Sequence, residues 1–241
     1  PLARREPAAL REIEAALAAD IKTIKILQFL FFTQWQRLRA VASRAGITLF
    51  GDLPIYIALD SAEAWANPEL LLLDQDGRPQ QVAGVPPDYF SEDGQLWGNP
   101  LYDWPRHAAD GFAWWQSRLC AALTFADLVR IDHFRGFESY WSVPAGDDTA
   151  RHGRWLPGPG DALFDALRNG ADDLPVVAED LGVITPDVEA LRDRQGLPGM
   201  VVLQFALMDP DFRLADMAGN KVCYTGTHDN DTTLGWFTGH G

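Results

Sequence analysis

The stretch LVRIDHFRGF, residues 128–137, opens like a buried strand and then presents Arg130, Asp132, His133 and Arg135 in quick succession. Charged side chains rarely enter a core unpaired, so this strand either surfaces abruptly or ends in a lined cavity. The pattern recurs along the chain. Asp52 falls at the end of one apolar run, Glu179 and Asp180 close "PVVAED", and Asp229 closes "KVCYTGTHD". Taken singly, an aspartate at a strand–helix junction is more often an N-cap for the next helix. In a parallel α/β arrangement, however, all strand C-termini point to one side, so four such acidic ends converge on one face, where these folds bind and react. Arg130 and Asp132, at i and i+2, share a strand face and can pair. His228 precedes Asp229, either to bond a ligand hydroxyl or as a satisfied core histidine.

Several carboxylates with a cation among aromatic residues suit the cleavage of a glycosidic bond. A retaining enzyme needs one carboxylate as nucleophile and a second carboxyl as acid and then base, about 5 Å away. Further negative charge stabilises the oxocarbenium-like transition state, and aromatic faces hold sugars. A divalent metal held by His and Asp at barrel mouths is the other chemistry such acids allow. It usually begins from a pair such as His-x-His, and none of the five histidines makes one. A Gly-rich phosphate loop is also absent.

These residues need elements to carry them. Helical spacing is predicted over 8–20, through Leu10, Ile13 and Leu17, and over 33–45, capped by Thr33 and closed by Gly46. Strands are predicted at 47–56, 127–133, "PVVAED", "GMVVLQF" and "KVCYTGTHD", and helices over 110–123, 161–169, 186–194 and 231–237. Their alternation, with near-continuous apolar strands, indicates a parallel sheet buried on both faces. Between Asp60 and Trp104 the periodicity dissolves into Gly, Pro and Asp, yet Tyr89, Phe90, Trp97, Tyr102 and Trp104 lie there. Disordered segments are poor in aromatics, so residues 60–104 are read as an ordered excursion that covers or lines something.

The 241 residues carry a formal charge of −14, which makes nucleic acid a poor partner and leaves a neutral ligand unopposed. The longest apolar run, Ile24–Phe32, holds Lys25 and Gln28 and is too short to span a bilayer, so no membrane association is predicted. Cys120 and Cys223 sit among apolar neighbours and make neither a disulfide framework nor a zinc pattern, so they are expected reduced and inert.

Five segments, "GDLPIY", "VAGVPPDYFSEDGQLWGNPLYDW", "VRIDHFRGFESYW", "VVAEDLGVITPDVEALRDRQGLPGM" and "YTGTHDNDTTLGWF", together resemble the 4-α-glucanotransferases, also called amylomaltases or disproportionating enzymes, of the α-amylase clan. The resemblance runs from about Gln34 to Phe237. It implies a (β/α)₈ barrel with Asp132 as nucleophile, Glu179 as general acid/base and Asp229 as transition-state stabiliser. It further implies that His228 contacts the sugar, Arg130 orients the nucleophile and Asp52 completes the pocket. Asp88 and Tyr89 would belong to a loop over the cleft, with Trp97 further along it toward the acceptor. The implied partners are maltooligosaccharides and other α-1,4-glucans, with no metal or organic cofactor, in the cytoplasm. Five strand ends fall short of the eight a closed barrel needs. Residues 1–241 therefore read as the central part of a catalytic barrel lacking its first strands and its last, with 60–104 an inserted loop or subdomain over the cleft. Between Phe205 and Lys221 the family often carries a Pro-His-Asn segment, where this chain has ALMDPDFRLADMAGN. A hydrolase of the same clan, or a silent glucan-binding fragment, would carry the same residues.

Overall fold

A computed structural model of the chain describes residues 1–241 apart from 89, 90, 172, 214–216, 218, 229, 240 and 241. Helices α1 (Pro7–Ala16) and α2 (Ala18–Arg44) lead to strand β1 (Phe50–Leu53). A short helix α3 (Ala62–Ala66) and a 3₁₀ turn precede β2 (Gln81–Val85) and β3 (Gln95–Pro100), followed by α4 (Trp104–Ala109), α5 (Ala113–Phe125) and β4 (Leu128–Ile131). Next come β5 (Ser139–Pro144), β6 (Arg154–Pro157), α6 (Asp161–Arg168), β7 (Val176–Ala178) and α7 (Pro186–Arg194). The chain then runs through β8 (Gly199–Val202), α8 (Leu203–Ala206), β9 (Lys221–Tyr224) and α9 (Thr233–Thr238).

Strands β1, β4 and β7 pair in parallel in that order, and β8 pairs in parallel with β9. The N–H of Ala178 donates to Pro198 O at 2.8 Å, which links the two sheets. As the sequence predicts for a sheet covered on both faces, Val129, Ile131, Val176, Val177 and Ala178 are fully buried. Trp115, Phe134, Phe137, Leu163 and Phe164 pack over them from α5, the 134–137 turn and α6.

The structure adds detail to the 60–104 excursion and corrects one helix. The excursion at 60–104 contains the β2–β3 hairpin, and β2 pairs with β5 to build a four-stranded antiparallel sheet, ordered β3-β2-β5-β6. The molecule is therefore α/β, with an antiparallel sheet in addition to the parallel strands. The helix expected at 33–45 begins fifteen residues earlier, because nothing between Ala18 and Arg44 is Pro or Gly and the apolar 24–32 run continues the helix. Thr33, read as its cap, instead turns its hydroxyl back onto Phe29 O at 2.7 Å inside the helix. The helix does close at Gly46, which takes φ +69°. Cys120 and Cys223 are unpaired and exposed, not packed among their apolar neighbours. Among the described residues no helix is long and apolar enough to cross a membrane.

Asp180, at the end of β7, does not join the cleft acids. Its carboxylate pairs with Arg192 of α7 and accepts the N–H of Met200 in β8 at 2.7 Å, in a largely buried setting. It ties strand, helix and next strand together, and only glycine fits at 199, since a Cβ there would meet Asp180 Oδ2 at 2.4 Å. Arg192→Met leaves a buried carboxylate without its cation. A loss of about 3–5 kcal/mol in the urea unfolding free energy is expected, and a variant as stable as the parent would contradict the bracing role.

Candidate active site

The register of β1 against β4 places Asp52 beside Arg130. The Arg130 guanidinium donates from Nε to Asp52 Oδ1 at 2.7 Å and from Nη2 to Asp52 Oδ2 at 3.1 Å. The same Nη2 reaches Asp132 Oδ1 at 2.8 Å, the i, i+2 pairing expected from the sequence. Burial works against the Arg130 charge, but the Asp52 and Asp132 carboxylates, with Glu179 beyond them, outweigh it and raise its pKa above the ordinary value. Arg130 is thus a fixed fork between two carboxylates.

Immediately after β4 and β7 the ladder runs on into the site. The N–H of Asp132 donates to Leu53 O, that of Glu179 to Ile131 O and that of Phe134 to Glu179 O, each at 3.0 Å. His133 lies between, in the left-handed region at φ 50°, ψ 50°, unusual for a residue other than glycine. This turn aims the His133 N–H at Glu179 Oε2 at 2.8 Å, while the N–H of Leu181 donates to Oε1 at 2.9 Å. Burial raises the Glu179 carboxyl above its usual range and the Asp132 charge adds to this, although the two N–H groups and Arg130 pull the other way. Two neighbouring carboxyl groups therefore stand in different surroundings, one forked by a cation and the other half-buried and biased toward its protonated form. Such a pair divides nucleophile from acid.

His228 lines a cavity of about 350 Å³ with Gly226, Thr227, Phe50, Tyr224, Asp52 and Arg130. The segment around it is fixed on both sides. Thr227 donates its N–H to Asn230 Oδ1 at 2.8 Å, and the buried Gln204 donates to Asp231 O at 2.9 Å. Trp97 sets its ring edge-on to that of His133, with centroids 4.8 Å apart, which brings the 60–104 excursion against the turn that holds Glu179. Asp88 accepts the N–H of Ser91 at 2.8 Å and so closes a turn within the excursion. Asp229 and Tyr89 lie outside the described residues, as does part of the 206–220 segment. Asp52, Asp132, Glu179, Arg130 and His228 are thus brought to one end of the sheet, Trp97 borders them through His133, and Asp88 sits within its own turn. Among the described residues no group of three His, Cys, Asp or Glu side chains is arranged to hold a metal ion. A separate hollow of about 640 Å³ around Arg5, Trp65 and Asp74 is lined by none of these residues.

Two participants escaped the sequence reading. His133 stood inside the motif, but its left-handed backbone could not be read, because histidine gives no signal of the kind glycine does. Tyr224 stacks on Phe50 with centroids 6.5 Å apart, and burial raises its hydroxyl pKa, with Arg130 and Asp52 also acting on it. In the sequence it was simply an aromatic residue at a strand end.

Burial, helped by the Arg135 charge, pushes the His133 imidazole down from 6.5 to about 4. Its folded pKa lies below the unfolded one, so the neutral ring favours the fold above pH 6.5, and this contribution is lost as pH falls toward 4. That loss is at most about 3 kcal/mol. His133→Asn, which tolerates the left-handed backbone, should flatten the stability profile by one proton over this window in urea titrations. An unchanged slope would refute the assignment.

The sequence profile of a family described as 4-alpha-glucanotransferase matches residues 1–240. A 4-alpha-glucanotransferase of Thermus thermophilus is 56% identical over 98% of this chain and 48% of its own length, and one from Synechocystis matches with the same figures. The fold is similar to that of an amylomaltase from Streptococcus agalactiae solved in complex with acarbose, with a TM-score of 0.93 and 41% identity over 98% of this chain and 49% of the other. An amylomaltase from Corynebacterium glutamicum aligns with a TM-score of 0.78 and 25% identity, over 89% of this chain and 30% of the other. The chain spans about half the length of the curated relatives it matches.

Proposed function

The chain belongs to the 4-alpha-glucanotransferase family, and we propose that the protein moves α-1,4-glucan segments between maltooligosaccharides by a retaining double displacement. Asp132 attacks the anomeric carbon of the donor while the Glu179 carboxyl gives its proton to the departing glycosidic oxygen. The glucan is left as an ester on Asp132. The Glu179 carboxylate then takes the proton of the acceptor's 4-hydroxyl as that oxygen displaces Asp132, and the original protonation states return. Asp229 stabilises the positive charge that develops on the ring, with His228 and Asp52 on the sugar hydroxyls and Arg130 fixing the nucleophile. No metal or organic cofactor enters this scheme.

The observation that carries the reading is the Arg130 fork joining Asp52 and Asp132 beside the two N–H groups that cradle Glu179. It supplies an oriented carboxylate and a neighbouring one whose pKa burial raises, at the ends of adjacent strands. The barrel belongs to the proposal too. Residues 1–241 form its central part, an arc through β1, β4, β7, β8 and β9 whose curvature is supported by the contact of Phe50 in β1 with Tyr224 in β9. Residues 60–104 act on the acceptor side through Trp97, which borders His133, and disfavour water as acceptor; Asp88 and Tyr89 are assigned to the same role. A cytoplasmic location suits the two unpaired cysteines.

Two measurements on the whole protein test this. Glu179→Gln should lower turnover of maltotriose by about 10²–10⁴-fold, the usual contribution of a general acid, while the ester-forming burst from donors whose leaving groups need no proton is hardly slowed. Equal slowing of ester formation from both donor types would remove Glu179 from the acid role. In the parent, donor cleavage should fall on the alkaline side at a pH above the usual carboxylate range, because the acid must keep its proton. A falling limb at or below that range would contradict the assignment.

A further inference from the structure

We infer that His133 is a positioning residue that sets the acceptor-side face of Trp97 relative to the acid/base carboxyl of Glu179. The inference rests on the transferase reading above and adds to it a residue that decides where the glucan goes.

One residue joins the two groups through covalently linked parts. Its backbone N–H holds Glu179 Oε2 at 2.8 Å, and the next N–H, of Phe134, holds Glu179 O at 3.0 Å. Its ring meets Trp97 at 4.8 Å and an interplanar angle of 83°, an edge-to-face geometry that aromatic pairs favour. The ring is also backed from behind. A Cβ on Gly136 would lie 3.0 Å from His133 Cδ2 and 2.6 Å from Ile55 Cδ1, so only glycine leaves the imidazole its place. Nε2 is shielded from solvent and has no hydrogen-bonding partner among the described residues, so no polar bond sets the ring's orientation through that atom. The left-handed backbone is what lets both contacts exist. In an ordinary extended conformation the N–H and the side chain would point elsewhere, and a strained backbone of this kind persists only where its surroundings over-determine it.

Among the described residues Trp97 has few other contacts to fix it. Its Nε1 donates to Gln95 two residues away at 3.0 Å, its ring touches Tyr56 at 6.1 Å, and about a third of it is exposed. Among the described residues the imidazole is its closest ring contact. Losing it lets the indole shift while the N–H to Glu179 remains. An acceptor sugar is then held less well against water for the same ester, and the partition between transfer and hydrolysis is what changes.

The test uses the whole protein with maltotriose, measuring transfer products and released reducing sugar for the parent, His133→Asn, Trp97→Ala and the double variant. Asparagine keeps both the left-handed backbone and the N–H. His133→Asn is expected to lower the transfer-to-hydrolysis ratio by about 3–10-fold, the span of one aromatic contact, whatever total turnover does. The double variant should be no worse in this ratio than Trp97→Ala alone, because both changes remove one shared contact. An unchanged ratio in His133→Asn, or multiplied effects in the double variant, would overturn the inference. A parent protein that makes no transfer products would instead refute the function proposed above.

Discussion

The half-buried guanidinium of Arg130 is the constraint on which the site depends. A cation there is tolerable only because two carboxylates meet it, and the carboxylates keep their orientation only because the cation is fixed. The fixing is done by the backbone. Asp52 and Arg130 are neighbours because the parallel register of β1 and β4 puts them side by side, and Asp132 follows two residues on along the same strand face. A slip of one residue in that register would turn Arg130 away from both acids. Buried Val129 and Ile131 hold the register from within, so the apolar half of the strand positions its polar end.

Much of this was legible in the sequence because it follows from short-range rules. Acids at the ends of apolar runs, the alternation of strands and helices, and the i, i+2 pairing of Arg130 with Asp132 need only strand periodicity. The antiparallel layer was not legible, because its strands come from residues 81–100 and 139–157, and their partnership is a long-range fact. The burial of Tyr140, Ser142 and Val143 in SYWSVP becomes meaningful only with β2 beside it. The length of α2 was misjudged for the opposite reason. An apolar run without polar alternation fits strand or helix equally, and only the absence of a breaker between Ala18 and Arg44 decides it.

The same contrast applies within the site. Residue types announced Asp52, Asp132 and Glu179, but environment sets their chemistry, and environment comes from folding. Glu179 differs from Asp132 through burial and through the two N–H groups it accepts, one offered by a histidine in a backbone conformation that no sequence pattern reveals. Asp180, adjacent in sequence and also a carboxylate, faces the other way and serves the fold through Arg192. Chemistry and architecture thus divide between consecutive residues, as period-2 alternation requires.

In the proposed double displacement Asp132 becomes covalently bonded to the glucan. The most direct measurement is to incubate the whole protein carrying Glu179→Gln with a glucosyl donor whose leaving group needs no protonation, quench in acid, and map the adduct by peptide mass spectrometry. The account predicts a hexosyl ester on the peptide bearing Asp132. An adduct on any other carboxylate, or turnover of such a donor in the absence of any adduct, would contradict it.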